Sequence, residues 1–176
     1  MDFETSFAKL IDADHEGGYV NNPADPGGET YCGVSRRAHP DWGGWLIIDA
    51  AKKLPGFPTG LCESAELLKL TKDLYQDNYW GPAGCDGIPV GAKFQVFDMA
   101  VNSGVPEAVR AVQRAAGVNA DGVIGASTLM AVQRLSLPRF VARFNAQRLI
   151  YLSTLKDWPT FSRGWVHRIA ANLMEA

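Results

Sequence analysis

Residues 15–35 read HEGGYVNNPADPGGETYCGVS. A histidine and an acid close an apolar-periodic run, and a stretch dense in glycine, proline, asparagine and aspartate follows. Upstream, Phe3, Phe7, Leu10 and Ile11 recur at helical spacing and Asp2 stands where a cap belongs, so a helix is expected from residue 2 to about 15. Gly17-Gly18 ends it, which puts His15 and Glu16 in a last turn whose dipole disfavours a carboxylate. Downstream, the glycine and proline pairs exclude a second long helix before residue 44, and ETYCGVSR at 29–36 reads as short strands forming a hairpin.

Beyond the hairpin the periodicity is helical. A short helix is expected over 45–54, a loop over PGFPTGLC at 55–62, and a helix from Ser64 to Tyr79 with Leu67, Leu68, Leu70, Leu74 and Tyr75 on its apolar side. Trp80-Gly81-Pro82 ends that helix. From Gly91, the apolar residues Phe94, Val96, Phe97, Ala100 and Val101 predict a buried central helix that stops at Asn102-Ser103-Gly104. Further helices are expected over 106–116, 126–135, 138–155 and 161–174, with GVNADGVIG at 117–125 as a turn-rich connector. The chain is therefore mostly α, in the α+β sense: seven or eight helices with a small β hairpin after the first. A boundary near 86–92 would divide residues 1–90 from a helical half, 91–176. The helix after the boundary is too apolar to stand with one face covered, so the halves are expected to share a core.

Composition excludes several classes of function. The 176 residues, 47% apolar and 20% charged, can bury a core without metals or disulfides. A formal charge of -2 supplies no polycationic field, so no nucleic-acid partner is expected. Cys32, Cys62 and Cys85 are odd in number and form no C-x-x-C pair, and His39 and His167 complete no metal-ligand spacing, so neither a metal nor another cofactor is expected. The opening MDFETSFAKLIDAD carries acid where a signal peptide carries lysine or arginine, and no apolar run reaches the ~20 residues of a membrane span. The expectation is a protein made in the cytoplasm without a signal peptide, acting as a monomer.

Glu16, Asp25 and Thr30 are the candidate catalytic residues. A helix followed by a hairpin can fold them around one cleft, and acetal hydrolysis needs an acid with a second carboxylate across a gap. On pattern alone a bland alternative stands beside this: Asp25 capping the turn at Pro26-Gly27-Gly28, Thr30 supplying strand propensity and Glu16 lying at the surface.

The segment EGGY…DPGGETYCGVS resembles the amino-terminal motif of the muramidases grouped as glycoside hydrolase family 108, some of which are called secretion activators. FDMAVNSG followed by AVQRAAGVNADGVIGASTLMAV resembles the predicted peptidoglycan-binding region that accompanies that domain. The resemblance implies a lysozyme-like fold and cleavage of the β-1,4 bond between N-acetylmuramic acid and N-acetylglucosamine, with Glu16 as proton donor. It also implies action on the glycan strands of the bacterial wall, after release through holin lesions or a dedicated export system. The Glu, Asp, Thr order is similar to that of phage-type lysozymes, but four residues separate Asp25 from Thr30 where that pattern has five, which leaves the role of Thr30 open. A lytic transglycosylase and a non-catalytic wall-binding or secretion-accessory protein are the alternatives.

Substrate-binding candidates are His15, Tyr31, Trp80, Gln95, Asp98 and Asn102. His15 adjoins the acid, and Tyr31 and Trp80 are among the aromatic residues able to offer a ring to a sugar face. Gln95, Asp98 and Asn102 lie three and four residues apart on one side of the apolar helix. They would either form a cleft wall that binds N-acetyl groups or make a buried hydrogen-bond network locking the two halves together. In DGVIG, a wall-binding role competes with an ordinary Asp-Gly turn.

Overall fold

Residues 1–12, 18–22 and 28–174 are described by the computed structural model. Among them are eight α-helices and one three-stranded antiparallel sheet that follows the first helix. The mostly helical expectation holds. No described helix is long and apolar enough to cross a membrane. The chain divides into two compact units, Phe7–Gln76 and Met1–Ser6 with Asp77–Ala176.

Helix α1 is Phe3–Leu10. The Asp2 carboxylate accepts from the Thr5 N–H at 2.9 Å, as its capping position predicted. The helix ends sooner than expected, and residues 13–17 and 23–27, with His15, Glu16 and Asp25 among them, lie outside the described residues.

In the unit Phe7–Gln76, strands β1 (Tyr19–Asn21), β2 (Glu29–Tyr31) and β3 (Val34–Ser35) pair in sequence order. The expected hairpin is β2–β3, with Tyr31 opposite Val34, and β1 is a strand that the periodicity did not reveal. Cys32 and Gly33 make the turn at φ +45° and +77°, the backbone twist that a two-residue hairpin favours. Holding a non-glycine residue there takes external support. The Cys32 N–H donates to the Gly18 carbonyl and the Cys32 carbonyl accepts from the Tyr75 hydroxyl, each at 2.8 Å. Phe7 packs edge-on against Tyr75, and Tyr31, Val34, Trp45, Ile48 and Leu67 fill the remaining core. Helix α2 is Gly44–Ala51, and α3, Ala65–Tyr75, is capped by the Ser64 hydroxyl at the Leu67 N–H.

A single π-helical turn, Gln76–Trp80, leads into the helical unit. Its centre is α4, Lys93–Ser103, in which every residue from Phe94 to Ala100 is buried. Helix α5 (Val105–Ala116) packs on α4 and also on α6 (Ala126–Gln133) and α7 (Leu137–Ser153), and α8 (Trp158–Met174) packs on α7. The connector between α5 and α6 is closed from within. Buried Gln113 donates to the Asp121 carboxylate at 2.7 Å and the Val123 carbonyl at 3.1 Å, and accepts from the Gly122 N–H at 2.9 Å. Asp121 therefore serves the turn, and Ile124 of the same motif packs over Gly84.

The polar side of α4 is a buried network. Asp98, 0% exposed, accepts from Arg148 on α7 at 2.6 Å, from Arg168 on α8 at 2.7 and 2.8 Å, and from Asn172 at 2.8 Å. Gln95 joins Asn145 of α7 and donates to the Asn172 carbonyl at 3.4 Å. This corrects the expectation of a link between the halves 1–90 and 91–176, because the network ties three helices of the second. Burial pushes the Asp98 carboxyl up, but Arg148 and Arg168 together outweigh it and hold the group below the ordinary carboxylate value.

Two outcomes are expected. A Cβ on Gly84 would meet Ile124 at 2.6 Å on a backbone of φ +65°, so Gly84→Ala should lower stability by about 1–3 kcal/mol in a thermal melt. Asp98→Asn, which strands two guanidinium groups, should cost about 3–5 kcal/mol near neutral pH. Since the folded-state pKa of Asp98 is depressed, its contribution is fully present above the unfolded value of about 3.9 and is lost as pH falls through the folded value. Denaturant titrations of parent and variant should therefore converge in acid.

Candidate functional site

The sheet organises the segment that carries the motif. Glu16 stands three residues before the first residue of β1, and Asp25 lies in the connection between β1 and β2. Asn21 pairs with Glu29 at the mouth of that connection, so the sheet register fixes both of its ends. Thr30 is the middle residue of β2, opposite Val20 on β1 and Ser35 on β3. Side chains alternate along a strand, so Thr30 shares its face with exposed Val20 while Tyr31 turns into the core. The Thr30 hydroxyl is half-buried, and its contact with the Gly28 carbonyl is long, at 3.4 Å, which leaves it available to a further partner.

Beside Thr30, an ion cluster pins the ribbon to α2. Glu29 accepts from the Tyr19 hydroxyl at 3.0 Å and forms ion pairs with Lys52 at 2.6 Å and Arg36 at 2.7 Å. Arg36 also grips Asp49 with both terminal nitrogens, at 2.7 and 3.0 Å, and lies 4.4 Å over the Trp45 ring. Hydrogen bonds from Arg36 first and Lys52 second bring the Asp49 carboxyl down to about 2. Burial raises the Tyr19 phenol, and the Glu29 hydrogen bond adds to that, so Tyr19 is a donor at neutral pH. Two carboxylates and two cations balance within the cluster, which suits it to holding geometry. Sequence reasoning missed it. A signal was present in Glu29, the residue before Thr30, and in the i, i+3 pair Asp49 and Lys52.

The other candidates divide by burial. Tyr31 is buried, its hydroxyl donates to the Leu61 carbonyl at 3.3 Å, and its ring stacks with Trp42, so it presents no face to a sugar. Trp80 is 1% exposed; its indole N–H donates to Asp86 at 2.9 Å and its ring packs edge-on against Phe3 and Phe97. This corrects its expected role as a platform, since a fully packed ring cannot stack on a ligand. Gln95 and Asp98 are likewise buried and spent on the network. Asn102 differs: it is exposed, donates to the Asp98 carbonyl at 2.8 Å, and lines a cavity with Ser103 and Arg148. Cys32 packs as a small buried hydrophobe, and burial raises its thiol pKa.

A family model described as glycosyl hydrolase 108 matches residues 11–104, and one described as a predicted peptidoglycan domain matches residues 107–170. The solved structure of Brucella abortus SagA superposes with a TM-score of 0.70 at 31% identity, covering 96% of this chain and 92% of that one. No curated protein sequence matches the chain. With the first model spanning more than half of its length, the chain belongs to glycosyl hydrolase family 108, a glycoside hydrolase of the muramidase type followed by a predicted peptidoglycan domain.

Proposed function

We propose that the chain hydrolyses the β-1,4 bond between N-acetylmuramic acid and N-acetylglucosamine with Glu16 as general acid. The observation that carries this reading is the fixed ribbon: the strand bearing Thr30 is clamped to α2 through Glu29, and the segments bearing Glu16 and Asp25 attach directly to the same sheet. Glu16 gives its proton to the leaving glycosidic oxygen, which requires a carboxyl that is protonated as substrate arrives. Asp25 stays ionised and holds the attacking water or faces the oxocarbenium-like sugar. Thr30 orients that water or a substrate hydroxyl from the open face of β2.

Residues 1–90 carry the chemistry in this reading, and residues 91–176 hold the wall. His15 adjoins the acid and contacts the sugar beside it, and Asn102 reaches substrate from the end of α4. The enzyme acts as a monomer on peptidoglycan, reached through holin lesions or an export system. Support for action at the wall comes from the peptidoglycan domain match.

Glu16→Gln should reduce muropeptide release from purified walls by about 10²–10⁴-fold while the melting temperature stays near that of the parent. Undiminished release would remove Glu16 from the mechanism. Mass spectrometry of the parent's digest should show reducing muramic acid ends, as water attack requires; 1,6-anhydromuramoyl ends would establish transglycosylation instead. Thr30→Val, which keeps strand propensity and shape, should lower the rate without lowering stability, and an unchanged rate would confine Thr30 to the sheet.

A further inference from the structure

The formal charge of -2 conceals a segregation of sign. Residues 126–174, which build α6 to α8, hold seven of the 17 lysines and arginines but one of the 19 acids, Asp157. Arg148 and Arg168 are taken up by Asp98. The other five, Arg134, Arg139, Arg143, Lys156 and Arg163, are exposed, and none forms an ion pair with a described residue. On α7, Arg139, Arg143 and Ile150 stand in one row, four and eleven residues apart, on the side opposite buried Phe144 and Arg148. On α8, Arg163, His167 and Met174 repeat that spacing, opposite buried Ile169 and Asn172. Both rows are thus turned away from Asp98, and neither contains an acid. Each ends on a large apolar side chain in solvent, Ile150 at 58% and Met174 at 89% exposed, and Phe161, Val166 and Leu173 add exposed apolar surface to α8.

We propose that the outer faces of α7 and α8 dock on an anionic lipid surface, an interaction that goes beyond the hydrolytic reading of the chain. A partner for these faces must supply negative charge and an apolar layer within one side-chain length of it. An anionic bilayer does both: lipid phosphates meet the guanidinium groups, and the acyl boundary beneath them receives the apolar side chains. A hydrated wall polymer or a nucleic acid backbone answers the charge alone and leaves Ile150 and Met174 in water. No described helix is long and apolar enough to cross a membrane, so the contact is with the bilayer surface. Docking of this kind holds the chain at the membrane side of the wall, beside the glycan strands of the proposed reaction.

The test mixes the full chain with vesicles of phosphatidylglycerol and phosphatidylcholine, or of phosphatidylcholine alone, and follows co-sedimentation. Binding is expected on the anionic vesicles only, and it should weaken as salt rises. Arg139→Gln, Arg143→Gln and Arg163→Gln together should weaken it about 10²-fold. Arg37→Gln, Lys53→Gln and Lys69→Gln together remove as many exposed cations from the unit Phe7–Gln76 and should leave it unchanged. Ile150→Ser with Met174→Ser keeps every charge and should weaken it about tenfold. All these side chains face solvent, so melting temperatures and muropeptide release from lipid-free walls should match the parent. Equal binding to both vesicles, equal loss in the two triple variants, or an unaltered Ile150→Ser, Met174→Ser protein would each overturn the proposal. So would a first triple variant that loses purified walls and keeps vesicles, which would assign the faces to the wall. Release by the parent without vesicle binding sinks the docking alone, and vesicle binding without release sinks the hydrolase reading alone.

Discussion

The helical unit depends on a single buried carboxylate. Asp98 lies in the middle of a helix buried from Phe94 to Ala100, where an unpaired charge would be prohibitive, and its cost is offset by two arginines and an asparagine arriving from α7 and α8. Neutral side chains of similar volume could pack three helices together. The charged group does something they cannot: it accepts only one relative placement of the helices, since both oxygens must meet their donors at once. Gln95 and Asn145 extend the same demand one turn further along α4.

The sheet unit meets a comparable problem with different means. Three strands of two or three residues are too short to be stable alone. Their register is secured from outside, by Tyr75 on the turn carbonyl and by Arg36 and Lys52 on Glu29. Rigidity in this ribbon matters to a muramidase because proton transfer and water attack must be aligned within a fraction of an ångström. A neutral ion cluster is well suited to that task, as it fixes positions while its own charges balance.

Much of this was readable from residue order. Helices α3 to α8 follow from apolar spacing, with Ser64 and Pro138 marking starts and Asn102-Ser103-Gly104 an end. The hairpin followed from strand-forming residues around Cys32-Gly33. What escaped was everything set by tertiary partners. Strand β1 has only three residues, too few for periodicity to speak. Trp80 is placed after a helix and before a loop, where an exposed ring is expected, yet Phe3 and Phe97 enclose it through contacts that no local pattern encodes. DGVIG looked like a binding motif, and its polar groups are occupied by Gln113, eight residues before Asp121. Of the proposed catalytic set, the order Glu16, Asp25, Thr30 was legible, and the Glu29 clamp beside it was not, because ion pairs join residues far apart in the chain.

The three thiols have sharply different surroundings. Cys32 and Cys85 are buried, and burial drives the Cys85 thiol up to about 12, which suppresses the thiolate at neutral pH. Cys62 is exposed. The unaltered polypeptide thus carries one address for a maleimide dye or a spin label, on the same unit as the ribbon, and spectroscopic study of the molecule on whole sacculi can begin without engineering a cysteine.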